Sequence, residues 1–254
     1  MEIRTVNAMR YVTPLREGGS LPAIIEADDD GLYVLKFRGA GQGIKALIAE
    51  LLGGEIARFL GLKVPEIVYV NLDATMARTE PDPEIQDLIK ASGGLNLALD
   101  YLPGSITFDA LIEKPSAELA SNIVWFDAFT ANVDRTPRNA NMLLWHKELW
   151  LIDHGAAFFY HHNWERFLDN ANNPFKQIKD HILLSFAENI AEADEAFSAK
   201  LTPEVLREIV ELIPADWVEN ASKTREIYFR FLTERLKSRE SFVEEAINAR
   251  KLHF

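Results

Sequence analysis

Residues 131–158 read ANVDRTPRNANMLLWHKELWLIDHGAAF, and this stretch decides the predicted fold. It begins with a polar loop that Asp134 opens, and it ends with an Asp-His-Gly triplet that starts at Asp153. Pro137 lies in the loop, and proline cannot continue a helix because it lacks an amide hydrogen and clashes with the preceding turn. One carboxylate therefore precedes, and one follows, a pair of short apolar segments.

The two apolar segments predict a β-hairpin. Residues 141–145 and 149–152 are rich in leucine and tryptophan, and the polar residues 146–148 between them predict the turn. A hairpin returns the chain to its starting point, so we expect Asp153 to lie beside Asn139. The carboxylates on either side of the hairpin are then predicted to converge on one point.

This order of side chains is typical of a protein-kinase-like active site. A loop aspartate orients the acceptor hydroxyl and accepts its proton, which is the role predicted for Asp134. An asparagine five residues later and the aspartate of an Asp-x-Gly triplet hold magnesium against the phosphates, which makes Asn139 and Asp153 the candidate metal ligands.

Each of these patterns also occurs elsewhere in the chain. Asp127 and Asn132 repeat the spacing, and residues 29–31 repeat the triplet in a turn between predicted strands. Asp127 lies in the apolar run IVWFDAFTA, which predicts a buried helix, so a structural hydrogen bond is its expected role. Context, and not either motif alone, selects Asp134 and Asp153.

The composition excludes several classes of site and partner. The 254 residues include no cysteine, so disulfides, thiolate catalysis and cysteine zinc sites are excluded. A formal net charge of -12 argues against nucleic acid or a membrane as partner, and Arg135 and Arg138 are a small local exception. We expect a cytoplasmic protein, because the first residues lack a signal-peptide core and no apolar run approaches the ~20 residues of a membrane span.

The first part of the chain predicts mixed β and α structure. Three β-rich runs at 9–15, 21–27 and 32–37 are separated by turn-forming residues, which predicts an antiparallel meander. Apolar residues at helical spacing predict a helix over 42–60, and a strand is predicted at 64–70.

The rest of the chain is predicted to be helical, so the expected fold class is α+β. Ser116 and Ser121 are alternative starts for one helix. Thr202 followed by proline and glutamate predicts the start of another. The segment 96–105 between the two parts is predicted as a hinge.

A kinase-like architecture needs a lysine on the third strand and a glutamate on the following helix. Lys36 lies on the third predicted strand, with Leu35 and Phe37 on the opposite face. Glu50 and Glu55 are both candidates for the partner of this lysine.

The turn REGGS at 16–20 is the candidate phosphate-covering loop. Gly18 and Gly19, followed by Ser20, permit close approach of backbone amide groups to anionic oxygens. The turn lacks a full G-x-G-x-x-G pattern, so an ordinary hairpin turn fits it equally well.

Together these segments resemble the HipA-like kinases, a bacterial group related to phosphatidylinositol kinases within the protein-kinase-like fold. Arg135 stands where toxin relatives commonly have histidine, so the resemblance leaves the substrate open. The C-terminal helices carry no matching motif. The segments that carry the resemblance are YVLKF (33–37), AELLGGEIARFLGLKVPE (49–66), NVDRTPRN (132–139) and LIDHGAAF (151–158).

The resemblance implies a two-lobed fold, with a small β-rich N-lobe over residues 1–98 and a larger α-helical C-lobe over 99–254. It implies an enzyme that uses ATP and Mg²⁺ and transfers the γ-phosphoryl group to a hydroxyl on a protein or small molecule. It favours Glu50 over Glu55 as the partner of the lysine. The residues implied to bind nucleotide or metal, or to act in catalysis, are Gly18, Gly19, Ser20, Lys36, Glu50, Leu99, Tyr101, Asp134, Asn139 and Asp153.

Three other functions stay open from the residues alone. A pseudokinase or regulatory module would bind nucleotide without transferring phosphate. A lipid kinase would need a basic or amphipathic membrane face, which the sequence lacks. A metal-dependent hydrolase would need paired ligands, but no H-x-H or H-x-x-x-H pair occurs. Its candidate ligands are Asp153, His154, His161, His162, Asp180 and His181.

Overall fold

The computed structural model describes residues 1–15, 21–41 and 43–252 of the chain. The strands are β1 (Thr5–Pro14), β2 (Ala23–Ala27), β3 (Leu32–Lys36), β4 (Ile67–Leu72), β5 (Gly94–Asp100), β6 (Ile106–Thr107), β7 (Met142–Trp145) and β8 (Glu148–Leu151). The helices are α1 (Gly43–Leu60), α2 (Pro83–Ala91), α3 (Ala117–Thr130), α4 (Ile190–Lys200), α5 (Pro203–Glu211), α6 (Ala221–Lys237) and α7 (Glu240–Lys251). Short 3₁₀ helices lie at Ala74–Thr79, Phe159–His162, Trp164–Arg166, Leu168–Asn170, Lys176–Asp180, Leu184–Phe186 and Ala215–Trp217.

The first five strands form a closed barrel in the order β1-β2-β3-β5-β4. The predicted antiparallel meander of β1, β2 and β3 is confirmed. Strands β4 and β5 complete the barrel, and β1 pairs in parallel with β4, where Thr5 lies opposite Tyr69. Each of the five strands therefore has a hydrogen-bonded neighbour on both sides.

Strand β5 corrects the prediction of a hinge over 96–105. The strand runs to Asp100, and residues 97–99 are almost completely buried between their neighbours. Asparagine usually favours loops, but the Asn96 amide donates two hydrogen bonds to backbone carbonyls near the start of the strand. The irregular connection after the barrel is therefore limited to residues 101–105.

Helix α1 is buried on most of its surface, as a helix that is apolar on all sides must be. Gly53 and Gly54 lie in its interior, where glycine normally weakens a helix. A Cβ at Gly53 would lie 2.9 Å from the Cβ of His154, and a Cβ at Gly54 would clash with Ile67. The two glycines therefore let the chain after β8 and strand β4 approach the helix closely.

The later helices begin where the sequence predicts. The Ser116 side chain accepts a hydrogen bond from the Leu119 amide at the start of α3, and Thr202 accepts one from Val205 at the start of α5. Ser121, the alternative start, lies buried inside α3. Across the described ranges, no helix combines the length and apolar content needed to span a bilayer.

Arg235 on α6 joins three parts of the helical region. Its guanidinium donates to the carbonyls of Ala128 and Phe129 in the last turn of α3, at 2.6 and 2.7 Å. It also donates to the carbonyls of Ala171 and Asn173, at 3.1 and 2.9 Å. Burial lowers the pKa of this arginine to about 10. The cation remains protonated near neutral pH and suits the negative end of the α3 dipole.

The predicted hairpin is confirmed by β7 and β8, but its turn is shorter than the sequence suggests. Glu148, expected in the turn, pairs with Trp145 and so belongs to the strand. The turn consists of His146 and Lys147, with φ angles of 51° and 65°. Positive φ at both central positions is typical of a type I′ turn, whose twist matches that of the flanking strands.

Candidate active site

A half-buried lysine on β3 contacts two carboxylates from distant parts of the chain. The Nζ of Lys36 lies 2.8 Å from Oδ1 of Asp153 and 3.7 Å from Oε2 of Glu50. The Lys36 side chain is 11% exposed and the Glu50 side chain 2% exposed. Asp153 is more accessible, at 39%, so this side of the charge cluster opens toward solvent.

Alternation along β3 explains the direction of the lysine. Leu35 and Phe37 are buried in the barrel core, so Lys36 leaves the strand on the opposite face, as predicted. There it meets Glu50 on α1. Glu55, the other candidate, instead lies with its Oε1 3.5 Å from Nε of Arg58.

The charges in this cluster stabilise one another. Burial by itself would lower the pKa of Lys36, but the carboxylates of Glu50 and Asp153 outweigh burial and raise it. Burial would raise the pKa of Glu50, but the lysine, with help from His154, outweighs burial and lowers it. Lys36 and Glu50 are therefore both charged near neutral pH.

The loop that follows α3 holds Asp134 through three asparagines. The Nδ2 of Asn139 donates to Oδ2 of Asp134 at 2.8 Å. The Nδ2 of Asn141 donates to the Asp134 carbonyl at 3.0 Å, and the Asp134 amide donates to Oδ1 of Asn132 at 3.1 Å. The Nδ2 of Asn141 also donates to Oδ2 of Asp134 at 3.3 Å, so two asparagines fix the direction of the carboxylate.

The hairpin connects this loop to Asp153. The Ile152 amide donates to the Asn141 carbonyl at 3.1 Å, so the residue before Asp153 lies directly beside the residue that holds Asp134. The backbone of Asp153 adopts a left-handed conformation with φ of 55°. Such strained positions in non-glycine residues concentrate at functional sites.

The predicted site residues form two neighbouring groups. Lys36, Glu50 and Asp153 line one narrow cavity together with Gly155 on the described part of the chain. Asp134 and Asn139 are not among the residues that line this cavity, so the convergence of Asp134 and Asp153 on one point stays a prediction.

A family comparison extends beyond these segments. The sequence model of the HipA-like kinases matches residues 9–244, which includes the C-terminal helices where no motif is recognisable. The chain belongs to the HipA-like kinase family. It is therefore an enzyme with a kinase function, as the sequence predicts.

Solved structures agree with this membership. The Helicobacter pylori proinflammatory kinase CtkA is similar with a TM-score of 0.57 and 14% identity, covering 92% of this chain and 95% of CtkA. The Golgi casein kinase, solved with Mn/ADP bound, is similar with a TM-score of 0.51 and 11% identity, covering 96% of this chain and 73% of that one. No curated protein sequence matches significantly. The HipA-like kinase described here therefore has an α+β, kinase-like fold.

A second buried charge cluster lies under the Asp134 loop of this HipA-like kinase. Asp127 accepts hydrogen bonds from Nε of Arg135 at 2.6 Å, Nε2 of His181 at 2.9 Å and Nδ2 of Asn132 at 2.9 Å. Burial would raise the pKa of Asp127, but Arg135 and His181 outweigh it and lower the pKa to about 2. The structural role expected for Asp127 is confirmed, and Arg135 is a buried structural cation that contributes no surface charge.

The remaining predicted nucleotide contacts lie around the barrel. Leu99 is buried on β5, and the half-buried Tyr101 follows the strand, with its amide donating to the Leu32 carbonyl at 2.9 Å. The glycine turn predicted to cover the phosphates lies outside the described residues. It comprises Gly18, Gly19 and Ser20.

The sequence does not predict the contacts that Asn141 and His154 make in the site. Asn141 holds Asp134, and its only sequence signal is an asparagine where the predicted strand begins; its φ is 48°. His154 is completely buried, with Nδ1 3.5 Å from Oε1 of Glu50 and its ring edge-on to Phe126. His154 is the middle residue of the Asp-His-Gly triplet, and nothing in the sequence predicts that this residue is buried against Glu50.

The histidines that a hydrolase would need are distributed among separate partners. His154 contacts Glu50, His161 lies 2.8 Å from the Tyr228 hydroxyl, and His181 bonds to Asp127. Within the described ranges, no group of three His, Cys, Asp or Glu side chains is arranged to hold a metal ion.

The Asp127 cluster generates a stability prediction. Replacing Asp127 with asparagine removes the carboxylate that balances Arg135 in the interior, so we expect the free energy of unfolding to fall by about 3–5 kcal/mol. Urea denaturation measures the change. The matched control is Asp87→Asn on α2, where the side chain is 79% exposed. We expect the control to change the unfolding free energy by less than about 0.5 kcal/mol.

The same variant predicts a pH dependence. The pKa of Asp127 is about 2 in the folded chain, below its ordinary value of 3.8. The ionised Asp127 therefore contributes its full stabilisation of the fold at pH values above the pKa of this residue in the unfolded chain. This contribution is lost as the pH falls through the pKa of Asp127 in the folded chain. The stability difference between the parent and Asp127→Asn should shrink by about 2 kcal/mol between about pH 5 and pH 2. A constant difference over this range would contradict a charged Asp127.

Proposed function

We propose that this chain transfers the γ-phosphoryl group of ATP to a hydroxyl on a protein serine or threonine, or on a small molecule. The observation that carries the proposal is the contact of Lys36 with Asp153 at 2.8 Å and with Glu50 at 3.7 Å. Kinases use a lysine held in this way to contact the phosphates, beside an aspartate that binds the metal. Membership of the HipA-like kinase family supports the proposal.

In this proposal ATP binds between two lobes. The N-lobe comprises residues 1–98 and includes most of the barrel and α1, and the C-lobe comprises residues 99–254. The adenine ring lies near Leu99 and Tyr101, where the chain leaves the barrel.

Asn139 and Asp153 are the residues that would hold a magnesium ion in this proposal, because magnesium prefers oxygen ligands. Asn139 donates its Nδ2 to Asp134, which leaves its Oδ1 as a ligand. Asp153 accepts the Lys36 bond on Oδ1, which leaves Oδ2. The metal, when bound, neutralises charge on the phosphates. The Golgi casein kinase carries Mn/ADP, which supports a nucleotide and a divalent cation in this fold.

The remaining steps belong to the chain's own side chains. Asp134 orients the acceptor hydroxyl and takes its proton. The acceptor oxygen forms a bond to the γ-phosphorus while the bond from that phosphorus to the β–γ bridging oxygen breaks, and ADP leaves. Lys36 balances the negative charge of the phosphates, and Glu50 holds Lys36 in place.

The first activity prediction concerns the base. Replacing Asp134 with asparagine should lower turnover by roughly 10²–10⁴ while ATP still binds, because the base contributes mainly to the transition state. The assay follows radiolabelled γ-phosphate transferred to the protein itself and to a cell lysate. The Asp87→Asn variant is the control and should keep full activity. Equal turnover in Asp134→Asn and the parent would reject the assigned base.

The transfer assay, combined with thermal melting in the presence of ATP and magnesium, separates an active enzyme from a nucleotide-binding module. A module would be stabilised thermally by ATP and magnesium but would transfer no label to any acceptor. That outcome, with the parent protein, would reject the proposed transfer reaction.

The second activity prediction concerns the metal ligand. Replacing Asp153 with alanine should abolish magnesium-dependent binding of ATP, since it removes the carboxylate that would hold the metal. Titration calorimetry with and without magnesium measures the effect. Unchanged affinity in the variant would count against the assignment of Asp153.

The third activity prediction uses two glutamates of α1 as a matched pair. Glu50→Gln removes the charge that holds Lys36 and should lower kcat/KM about tenfold, which corresponds to about 1.4 kcal/mol of transition-state stabilisation. Glu55→Gln should leave kcat/KM unchanged, because Glu55 contacts Arg58 instead. Equal losses in the two variants would show that Glu50 has no special role.

A further inference from the structure

A cavity of about 450 Å³ lies among three segments of the chain, and none of its lining residues has a role in the proposed transfer reaction. The segments are the chain from α1 to β4, the end of β5 with the residue pair after it, and the hairpin of β7 and β8. The volume is in the range of small-molecule sites. We name this cavity the tryptophan pocket. Its charged and aromatic lining residues are Arg58, Lys63, Glu66, Asp100, Trp145 and Trp150.

Two indole rings from the hairpin line the tryptophan pocket. The ring centroids of Trp145 and Trp150 lie 5.4 Å apart, and the ring planes cross at 76°. The Nε1 of Trp145 donates to the Pro103 carbonyl at 3.0 Å, which fixes this ring against the chain after β5. The Nζ of Lys63 lies 5.5 Å from the centroid of the Trp150 ring, whereas no side-chain cation of the described ranges lies over Trp145. An open indole face attracts cations, and arginine most often.

The two cations that line the pocket are balanced by carboxylates outside it. The Nζ of Lys63 lies 2.7 Å from Oε2 of Glu148, and Nε of Arg58 lies 3.5 Å from Oε1 of Glu55. Neither glutamate lines the pocket. Each cation therefore belongs to a neutral pair, and the pair adds no net positive charge beside the indole rings.

Asp100, by contrast, is a half-buried carboxylate without a paired cation. No side chain in the described ranges donates a hydrogen bond to it or forms an ion pair with it, and the adjacent Tyr101 amide donates to the Leu32 carbonyl at 2.9 Å. Burial raises the pKa of Asp100, and the carboxylate of Glu66 raises it further. The carboxylate would therefore be stabilised by a cation that enters the pocket.

Arg4 is the cation nearest to this corner, and other carboxylates already bind it. Its Nε donates to Oε1 of Glu66 at 2.8 Å, and its guanidinium also donates to Asp29. Arg4 opposes the rise in the pKa of Asp100 without reversing it. One cation thus serves three carboxylates, those of Asp29, Glu66 and Asp100, and this side of the pocket keeps a net negative charge.

We propose that the tryptophan pocket binds a guanidinium group on an aliphatic stem, which is the chemistry of an arginine side chain. The planar fork of a guanidinium donates two parallel hydrogen bonds to one carboxylate, here that of Asp100. Its flat face stacks on an indole ring, here that of Trp145. An ammonium suits the pocket less well, because it is a compact and strongly hydrated charge without a flat face.

Matched small probes test the charge and the shape separately. The probes are the acetyl, methylamide derivatives of arginine, lysine and citrulline, and citrulline has nearly the shape of arginine without its charge. The arginine probe should bind about tenfold more tightly than either of the others. Equal binding of the arginine and citrulline probes, or of the arginine and lysine probes, would overturn the inference.

Nuclear magnetic resonance locates the binding. The chain has five tryptophans, so protein labelled with ¹⁵N-tryptophan gives five indole signals. Trp145→Phe and Trp150→Phe assign the two signals of the pocket. The arginine probe should shift these two signals saturably and leave the Trp125 signal in place, because Trp125 is completely buried elsewhere. The absence of a saturable shift at Trp145 and Trp150 below about 10 mM probe would overturn the inference.

A single substitution tests the role of the carboxylate. Asp100→Asn keeps the shape of the side chain and should weaken binding of the arginine probe about tenfold, to the level of the citrulline probe. The matched control Asp87→Asn should bind the arginine probe as the parent does. Unchanged binding in Asp100→Asn would overturn the assignment. Circular-dichroism melting checks that the variant folds, and if it does not, the comparison of probes on the parent protein decides.

The source of the guanidinium follows from one more probe. Agmatine carries the same guanidinium and stem without peptide groups. Tighter binding of the arginine probe than of agmatine assigns the pocket to a protein segment, and the reverse order assigns it to a small guanidinium compound. These measurements contain no nucleotide, so the inference stands or falls independently of the proposed transfer of phosphate.

Discussion

The charge balance around Lys36 is the interaction on which the rest of the site depends. An ammonium buried without a partner would cost several kcal/mol, so the lysine is stable only while two carboxylates lie beside it. Glu50 comes from α1 and Asp153 from the chain after β8, so barrel, helix and hairpin must all be in place at once. Gly53 permits this arrangement, since a side chain there would collide with His154.

A second buried charge cluster holds the loop that carries Asp134 in place. Asp127 binds Arg135, which follows Asp134 in the loop, and His181, which follows the 3₁₀ helix Lys176–Asp180. It therefore holds both of these segments in place. The hairpin then joins the two clusters through the contact of Ile152 with Asn141. Each candidate catalytic aspartate is thus supported by a different set of buried charges, and the hydrogen bond between Ile152 and Asn141 links the two sets.

Much of this arrangement is readable from sequence, because simple periodicities determine it. Alternation along the third strand sets the direction of Lys36, and the apolar segments around residues 146–148 predict the hairpin. Strand β5 is not readable, because its burial depends on neighbours that the local sequence does not reveal. The contacts of Asn141 and His154 are equally hidden, since they depend on packing between segments far apart in the chain.

The closed barrel has a consequence for how the chain is made. The first strand, at Thr5–Pro14, finds its parallel partner only at Ile67–Leu72, and the last barrel strand ends at Asp100. About the first hundred residues must therefore be synthesised and must emerge from the ribosomal exit tunnel before the barrel can close. Until the barrel closes, the two edge strands of the open sheet expose unpaired backbone N–H and C=O groups. Chaperones would protect the nascent chain most during this period.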